Sequence, residues 1–186
     1  MAEAAIALRA ARPDDALCLG VLATQVFLDT YATDGIRPAL AREVLTRLSP
    51  AAFEALLARP DGACMVAERD GHLLGFAQLG LGRDHELLGT PARAAELERL
   101  YVQRPCLGRG LGRALLQAAE EQAAAAGAAQ LWLTAWVGNG HARAFYARQG
   151  YQELGQTWYE FEGERHENRL FAKRLDDAPL ARRLLV

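Results

Sequence analysis

One stretch limits the possible folds more than any other. From Glu96 to Val102 the chain alternates Leu97, Arg99 and Tyr101 with Glu98, Leu100 and Val102, the period-two pattern of a strand. A loop with glycines at 108, 110 and 112 follows, and then an Ala/Leu-rich helical run from Leu111 to Ala126, stopped by Gly127. Glycines let the backbone turn tightly and bring successive N–H groups close to an anion. The helix begun at Leu111 adds its unpaired amides and the positive end of its dipole. A strand, glycine loop and helix in this order make a cradle for a pyrophosphate. Arg104, Arg109 and Arg113 are available as extra cations.

The ligand is not a plain nucleotide by spacing. A P-loop needs Lys-Ser/Thr after its last glycine, and Arg113-Ala114 stands there. A dinucleotide fingerprint needs a glycine three residues past Gly110, and that residue is Arg113. A tight glycine turn with no ligand stays open at this point.

Around this unit the pattern predicts the order β-α-α-β-β-β-α-β-α-β-β. Ala5–Arg9 is a short strand, and the segments from Leu17 to about Thr30 and from Pro38 to Leu57 carry two helical stretches, the second broken and restarted at Ser49-Pro50. Cys64–Glu68 and Leu73–Leu81 flank a turn and read as an antiparallel hairpin. Arg83–Ala94 reads as an exposed loop, Gln130–Ala135 as a strand and Asn139–Gln149 as a short helix. Two last strands pair around Glu162-Gly163-Glu164. The fold class is mixed α/β of the α+β type, with a mostly antiparallel central sheet of about seven strands and about four helices. One domain is expected over residues 1–175, with 176–186 as a peripheral tail.

A second motif lies at Asn139-Gly140-His141-Ala142-Arg143-Ala144-Phe145-Tyr146, ending in Gly150-Tyr151. On a helix Asn139, Ala142 and Tyr146 fall near one face. A phenol held there can act as a general acid. Equally, Asn139 can be only an N-cap and Tyr146 only a core aromatic.

Taken together, Glu96–Val102, Gly108-Arg109-Gly110-Leu111-Gly112 and Asn139-x-x-Ala142-x-x-Phe145-Tyr146 resemble, in order and spacing, the two acetyl-coenzyme A motifs of the GNAT superfamily. Leu107 stands where that family usually has Gln or Arg, which removes a side-chain contact and leaves the backbone amides. The resemblance implies an N-acetyltransferase in which the amine attacks acetyl-coenzyme A directly, with no metal. It implies that the amides of Leu107, Gly108, Arg109, Gly110, Leu111, Gly112 and Arg113 hold the pyrophosphate. Leu100–Val102 would pair with the pantetheine arm, Asn139 would contact that arm, and Tyr146 would protonate the leaving thiolate. Glu98 is the candidate base, with a surface ion pair beside Arg99 as its alternative.

The acceptor is read less directly. The front half and the Tyr159–Glu167 segment are similar to bacterial polyamine and small-amine acetyltransferases, and Glu160, Glu162, Glu164 and Glu167 suit a polycation or form a solvated hairpin. A protein N-terminus or lysine is a further acceptor class. A non-catalytic acyl-coenzyme A binding module on the same fold is the rival reading, and Tyr146 argues against it, since a binder needs no acid.

Composition excludes other classes. A formal net charge of −2 gives no basic surface for nucleic acid. The three cysteines, Cys18, Cys64 and Cys106, have neither zinc nor disulfide spacing and read as reduced thiols, and Cys106 has no base partner that would make it a nucleophile. The chain shows no signal peptide or membrane span, so a cytoplasmic protein, monomer or homodimer, is expected.

Overall fold

The computed structural model describes residues 5–89, 93–161 and 163–175. The tail expected at 176–186 and the candidate Glu162 lie outside the described residues. Seven strands form one sheet in the order β1-β2-β3-β4-β5-β7-β6. They are β1 Ala7–Ala10, β2 Gly62–Arg69, β3 His72–Leu81, β4 Ala94–Val102, β5 Gln130–Trp136, β6 Gln152–Phe161 and β7 Glu164–Arg174. Every neighbouring pair is antiparallel except β4 and β5.

Five α-helices accompany the sheet: α1 Ala16–Tyr31, α2 Pro38–Arg47, α3 Pro50–Leu57, α4 Leu111–Ala125 and α5 Gly140–Arg148. The expected four become five because the break at Ser49-Pro50 is a true helix start. The Ser49 hydroxyl accepts from the Ala52 amide at 3.2 Å, and Pro50 fills the first helical position. The new helix then buries Phe53 completely, edge-on to Phe76.

The alternation of β3 and β4 sends apolar side chains to both faces of the sheet. On one face Leu74, Ala77, Leu79 and Leu97 pack with Leu111, Leu115 and Leu116 of α4 and with Tyr146 of α5. On the other, Val66 and Phe76 pack with Leu19, Leu22 and Ala23 of α1 and Phe53 of α3. The segment expected as an exposed loop after Leu81 contains a short 3-10 turn, Glu86–Leu88. Leu87 and Leu88 pack against Trp132 and Leu170, so apolar burial orders that part of the loop.

Candidate active site

β4 and β5 pair only from Ala94↔Gln130 to Glu96↔Trp132, yet β4 runs on to Val102 and β5 to Trp136. Past Glu96 the two strands part and leave a wedge in the sheet, and the β5-facing edge of Leu97–Val102 has no strand partner. The cause lies one strand away. The β3–β4 register passes from Gln78↔Arg99 to Leu79↔Leu97, so Glu98 is the extra residue of a β-bulge, and a bulge bends its strand. The open edge keeps backbone N–H and C=O groups that an extended ligand can pair with.

The glycine loop lies beyond the end of β4. A 3-10 turn over Arg104–Cys106 leads into Gly108 at φ +75° and Gly110 at φ +80°, left-handed conformations that favour glycine. The Leu107 amide is taken by the Arg104 carbonyl at 3.2 Å, and helical bonding begins with the Ala114 amide on the Gly110 carbonyl at 3.0 Å. The amides from Gly108 to Arg113 lie between them, and no side chain caps α4. Leu107 itself therefore offers no free amide, and the run starts one residue later than expected. Gly112 has ordinary φ, and a Cβ there would meet Phe145 at 3.7 Å, an ordinary contact, so neither backbone nor space demands glycine at this position.

α5 borders the wedge from the α4 side. Asn139 caps it, its Oδ1 accepting from the Ala142 amide at 3.0 Å. The cap uses the carbonyl oxygen only, so capping and a ligand contact through the amide nitrogen are compatible. Tyr146 is 8% exposed and rings with Phe145, Tyr151 and Phe171 at centroid distances of 5.2, 5.8 and 6.3 Å. No described residue hydrogen-bonds its hydroxyl. Burial first, and then the nearby phenols of Tyr31 and Tyr101, raise its proton affinity well above the ordinary tyrosine range. It is therefore a phenol that keeps its proton at any physiological pH.

The other side of the wedge is built from distant segments. Tyr31 ends α1, lies tilted against Phe27 at 4.9 Å and reaches Trp136 of β5 at 6.1 Å. Tyr101 of β4 rests edge-on to Phe76, and burial raises its phenol too. Tyr159 of β6 accepts from the Arg47 guanidinium at 3.3 Å. Glu43 of α2 faces Tyr101 and Tyr159 and lies 3.8 Å from Arg47.

Glu98 is paired with Arg59, whose two terminal nitrogens donate to its oxygens at 3.1 and 3.2 Å. The partner is thus Arg59, far away in sequence, and not the adjacent Arg99. The Gln78 amide also donates to Glu98, and the Gln78 carbonyl accepts from Arg99 at 2.7 Å. Gln78 is 1% exposed, a polar side chain in the middle of an apolar strand, and that anomaly was its one signal in the sequence. Gly80 makes room for this group, since a Cβ there would come within 2.6 Å of Glu98 Oε1. Glu96 stands at the last paired position before the wedge. Burial, and then the charge of Glu98, push its carboxyl above the usual range, which makes it a second candidate base that sequence reasoning missed.

Two of the hairpin acids are paired within the chain. Glu164 meets Arg37 at 3.1 Å and His166 at 3.5 Å, and Glu167 pairs with Arg169. Among the described residues no group of three or more His, Cys, Asp or Glu is placed to hold a metal, and no helix is long and apolar enough to cross a membrane.

A mixed sheet split between two parallel strands, with an amide-lined glycine loop and a buried phenol at the split, is the framework of an acyltransferase. Residues 30–151 match the Acetyltransferase (GNAT) family, and the chain belongs to that family. It is 33% identical over 136 residues to an uncharacterized N-acetyltransferase of Mycobacterium tuberculosis, covering 70% of this chain and 81% of that protein. Among solved structures, the PaiA N-acetyltransferase of Thermoplasma acidophilum in complex with coenzyme A superposes with TM-score 0.72 at 21% identity, over 91% of this chain and 99% of that one. The yncA protein of Salmonella typhimurium, solved with its cofactor acetyl-CoA, gives TM-score 0.68 at 21% identity, over 93% and 95% of the two chains. The fold and the enzyme class read from the sequence therefore hold.

Proposed function

We propose that the protein transfers acetyl from acetyl-coenzyme A to a small primary amine. The observation that carries this reading is the wedge: an open β4 edge ending at a run of unclaimed amides, with a buried, uncharged phenol beside it. The amides from Gly108 to Arg113 suit the pyrophosphate, with Arg109 and Arg113 as flanking cations. The free edge of Leu100–Val102 suits the pantetheine amides, with Asn139 next to them. Coenzyme A and acetyl-CoA in the two structural neighbours add support.

In this reading the coenzyme supplies the acetyl group as a thioester. The walls of the wedge hold the acceptor nitrogen in line with it, and such alignment is a large part of the rate. The β4 edge orients the thioester carbonyl through backbone N–H groups. Tyr146, protonated and beside the wedge, gives its proton to the departing sulfur as the thiolate charge develops. Glu98 takes the ammonium proton, directly or through water, with Glu96 adjoining. A passive coenzyme binder has no use for a lone hydroxyl at the sulfur, which favours catalysis over sensing.

The acceptor side is aromatic, lined by Tyr31, Tyr101, Trp136 and Tyr159, which suits a small molecule. Of the hairpin acids, Glu164 and Glu167 are already paired within the chain, which leaves a polycation fewer carboxylates to bind. Calorimetry with acetyl-coenzyme A, followed by thiol release in the presence of amines, tests the proposal. Binding and amine-dependent thiol release are expected, and absence of coenzyme binding would overturn it.

A further inference from the structure

Arg99 is the one charged group of the acceptor wall whose situation the acetyl-transfer reading leaves unexplained. The bulge at Glu98 turns Glu98 and Arg99, neighbours of opposite charge, toward the same face of β4, the face of Phe53 and Gln78. Left alone they would pair. Instead Arg59 and the Gln78 amide take the carboxylate, and the Gln78 carbonyl takes one guanidinium nitrogen at 2.7 Å. The buried amide therefore stands as a divider that keeps the cation and the anion apart.

Arg99 is also held in place from below. Its guanidinium lies 5.9 Å from the centre of the Phe53 ring, a cation–π contact with a fully buried partner. No carboxylate of a described residue lies within 4.0 Å of it. A half-buried, rigidly placed arginine without an acid is an unusual arrangement, because the cation has lost part of its hydration and gained no counter-charge. Its planar fork retains several N–H donors matched to the two oxygens of a carboxylate.

Its position places that fork in the acceptor space. Arg99 and Tyr101 project from the same face of β4, two residues or about 7 Å apart along the strand. Tyr101 in turn adjoins Tyr31 and Tyr146. Across from them Glu43 leans to Arg47, while Glu164 and Glu167 are paired with other arginines. Arg99 is thus a fixed cation on this wall with no ion-pair partner among the described residues.

We infer that Arg99 anchors a carboxylate of the acceptor, so that the substrate is a small amine bearing an acid group, such as an amino acid, and not a polyamine. This rests on the acetyl-transfer reading above and names its substrate class. A carboxylate on Arg99 leaves a nitrogen a few bonds away at the wedge, with Tyr31, Trp136 and Tyr159 flanking the remainder of the molecule.

The test uses matched pairs in the thiol-release assay: phenylalanine with phenethylamine, methionine with 3-methylthiopropylamine, lysine with cadaverine, and spermidine alone. In at least one pair kcat/KM should favour the carboxylated member by about 30-fold or more, carried mainly by KM. Arg99→Met should reduce that ratio to about threefold or less, and Arg99→Lys should restore part of it, because lysine keeps the charge and loses the fork. Melting temperature and calorimetric binding of acetyl-coenzyme A establish that the variants fold. If Arg99→Met does not fold, the wild-type ratios and Arg99→Lys decide. Preference for spermidine, equal use of the paired amines, or a ratio unchanged in Arg99→Met overturns the inference while acetyl transfer stands. Absence of coenzyme binding overturns both.

Discussion

The two sides of the wedge are made from different materials. On the α4 side the groups proposed to bind are backbone amides in one continuous segment, 108–113, fixed by two left-handed glycines and a helix start. On the acceptor side they are side chains from five elements, Tyr31 on α1, Glu43 on α2, Arg99 and Tyr101 on β4, Trp136 on β5 and Tyr159 on β6. A ligand bound by amides meets the same donors whatever the neighbouring side chains are. A ligand bound by side chains meets whatever each element happens to carry. One side can thus keep a fixed coenzyme while the other changes its acceptor.

The sharpest challenge to this division is Tyr146, which borders both sides. Tyr146→Phe deletes the hydroxyl and keeps the ring contacts with Tyr151 and Phe171. Turnover should fall about 10²- to 10⁴-fold with coenzyme affinity intact, as measured by steady-state thiol release and calorimetry. Unaltered turnover would reduce Tyr146 to a packing residue.

Next comes the backbone side. Gly110→Val forces a β-branched residue into φ +80°, although its Cβ would meet nothing within 4 Å. The loop should abandon its conformation at a cost of about 1–2 kcal/mol, weakening acetyl-coenzyme A about tenfold or more by calorimetry. Gly112→Ala, in ordinary helix with room for a methyl group, should change affinity far less. Equal losses in the two variants would contradict the role given to the left-handed turn.

The smallest effect concerns the acids at the root of the wedge. Burial and the Glu98 charge hold the Glu96 carboxyl above its usual range, so the folded protein binds that proton more tightly than the unfolded chain does. The stability this proton contributes is present at low pH and is lost as pH rises through the raised folded value. Glu96→Gln should therefore melt higher than the wild type near about pH 8, with the gain shrinking below about pH 4, where both forms are neutral. A gain that does not depend on pH would point to packing instead of charge.

The sequence signals and the side chains that escaped them divide along the same line. The glycine loop was legible because φ preference and helix ends are local, and the structure changed only the fate of the Leu107 amide. Asn139 and Tyr146 were legible as a helix cap and a face. Ser49-Pro50 was seen as a break, but whether a helix restarts there depended on Phe53 finding Phe76 across the fold. The partner of Glu98 was missed because sequence proximity suggested Arg99, while the bulge and the hairpin brought in Arg59 and Gln78. Glu96 looked like an ordinary strand acid, since burial, which alters its proton affinity, is invisible in a one-dimensional pattern.

What the sequence determined by itself is the class of this protein. Period, caps and glycine positions act over a few residues, and they specify a strand, an anion-binding loop and a helix bearing a phenol in a fixed order. Only the tertiary structure decided where β4 and β5 part, which acids are spent on internal arginines, and that no acid among the described residues pairs with Arg99. Those outcomes depend on contacts between residues far apart in the chain, made when the sheet closes, and charge pairing in three dimensions leaves no period for a sequence to display.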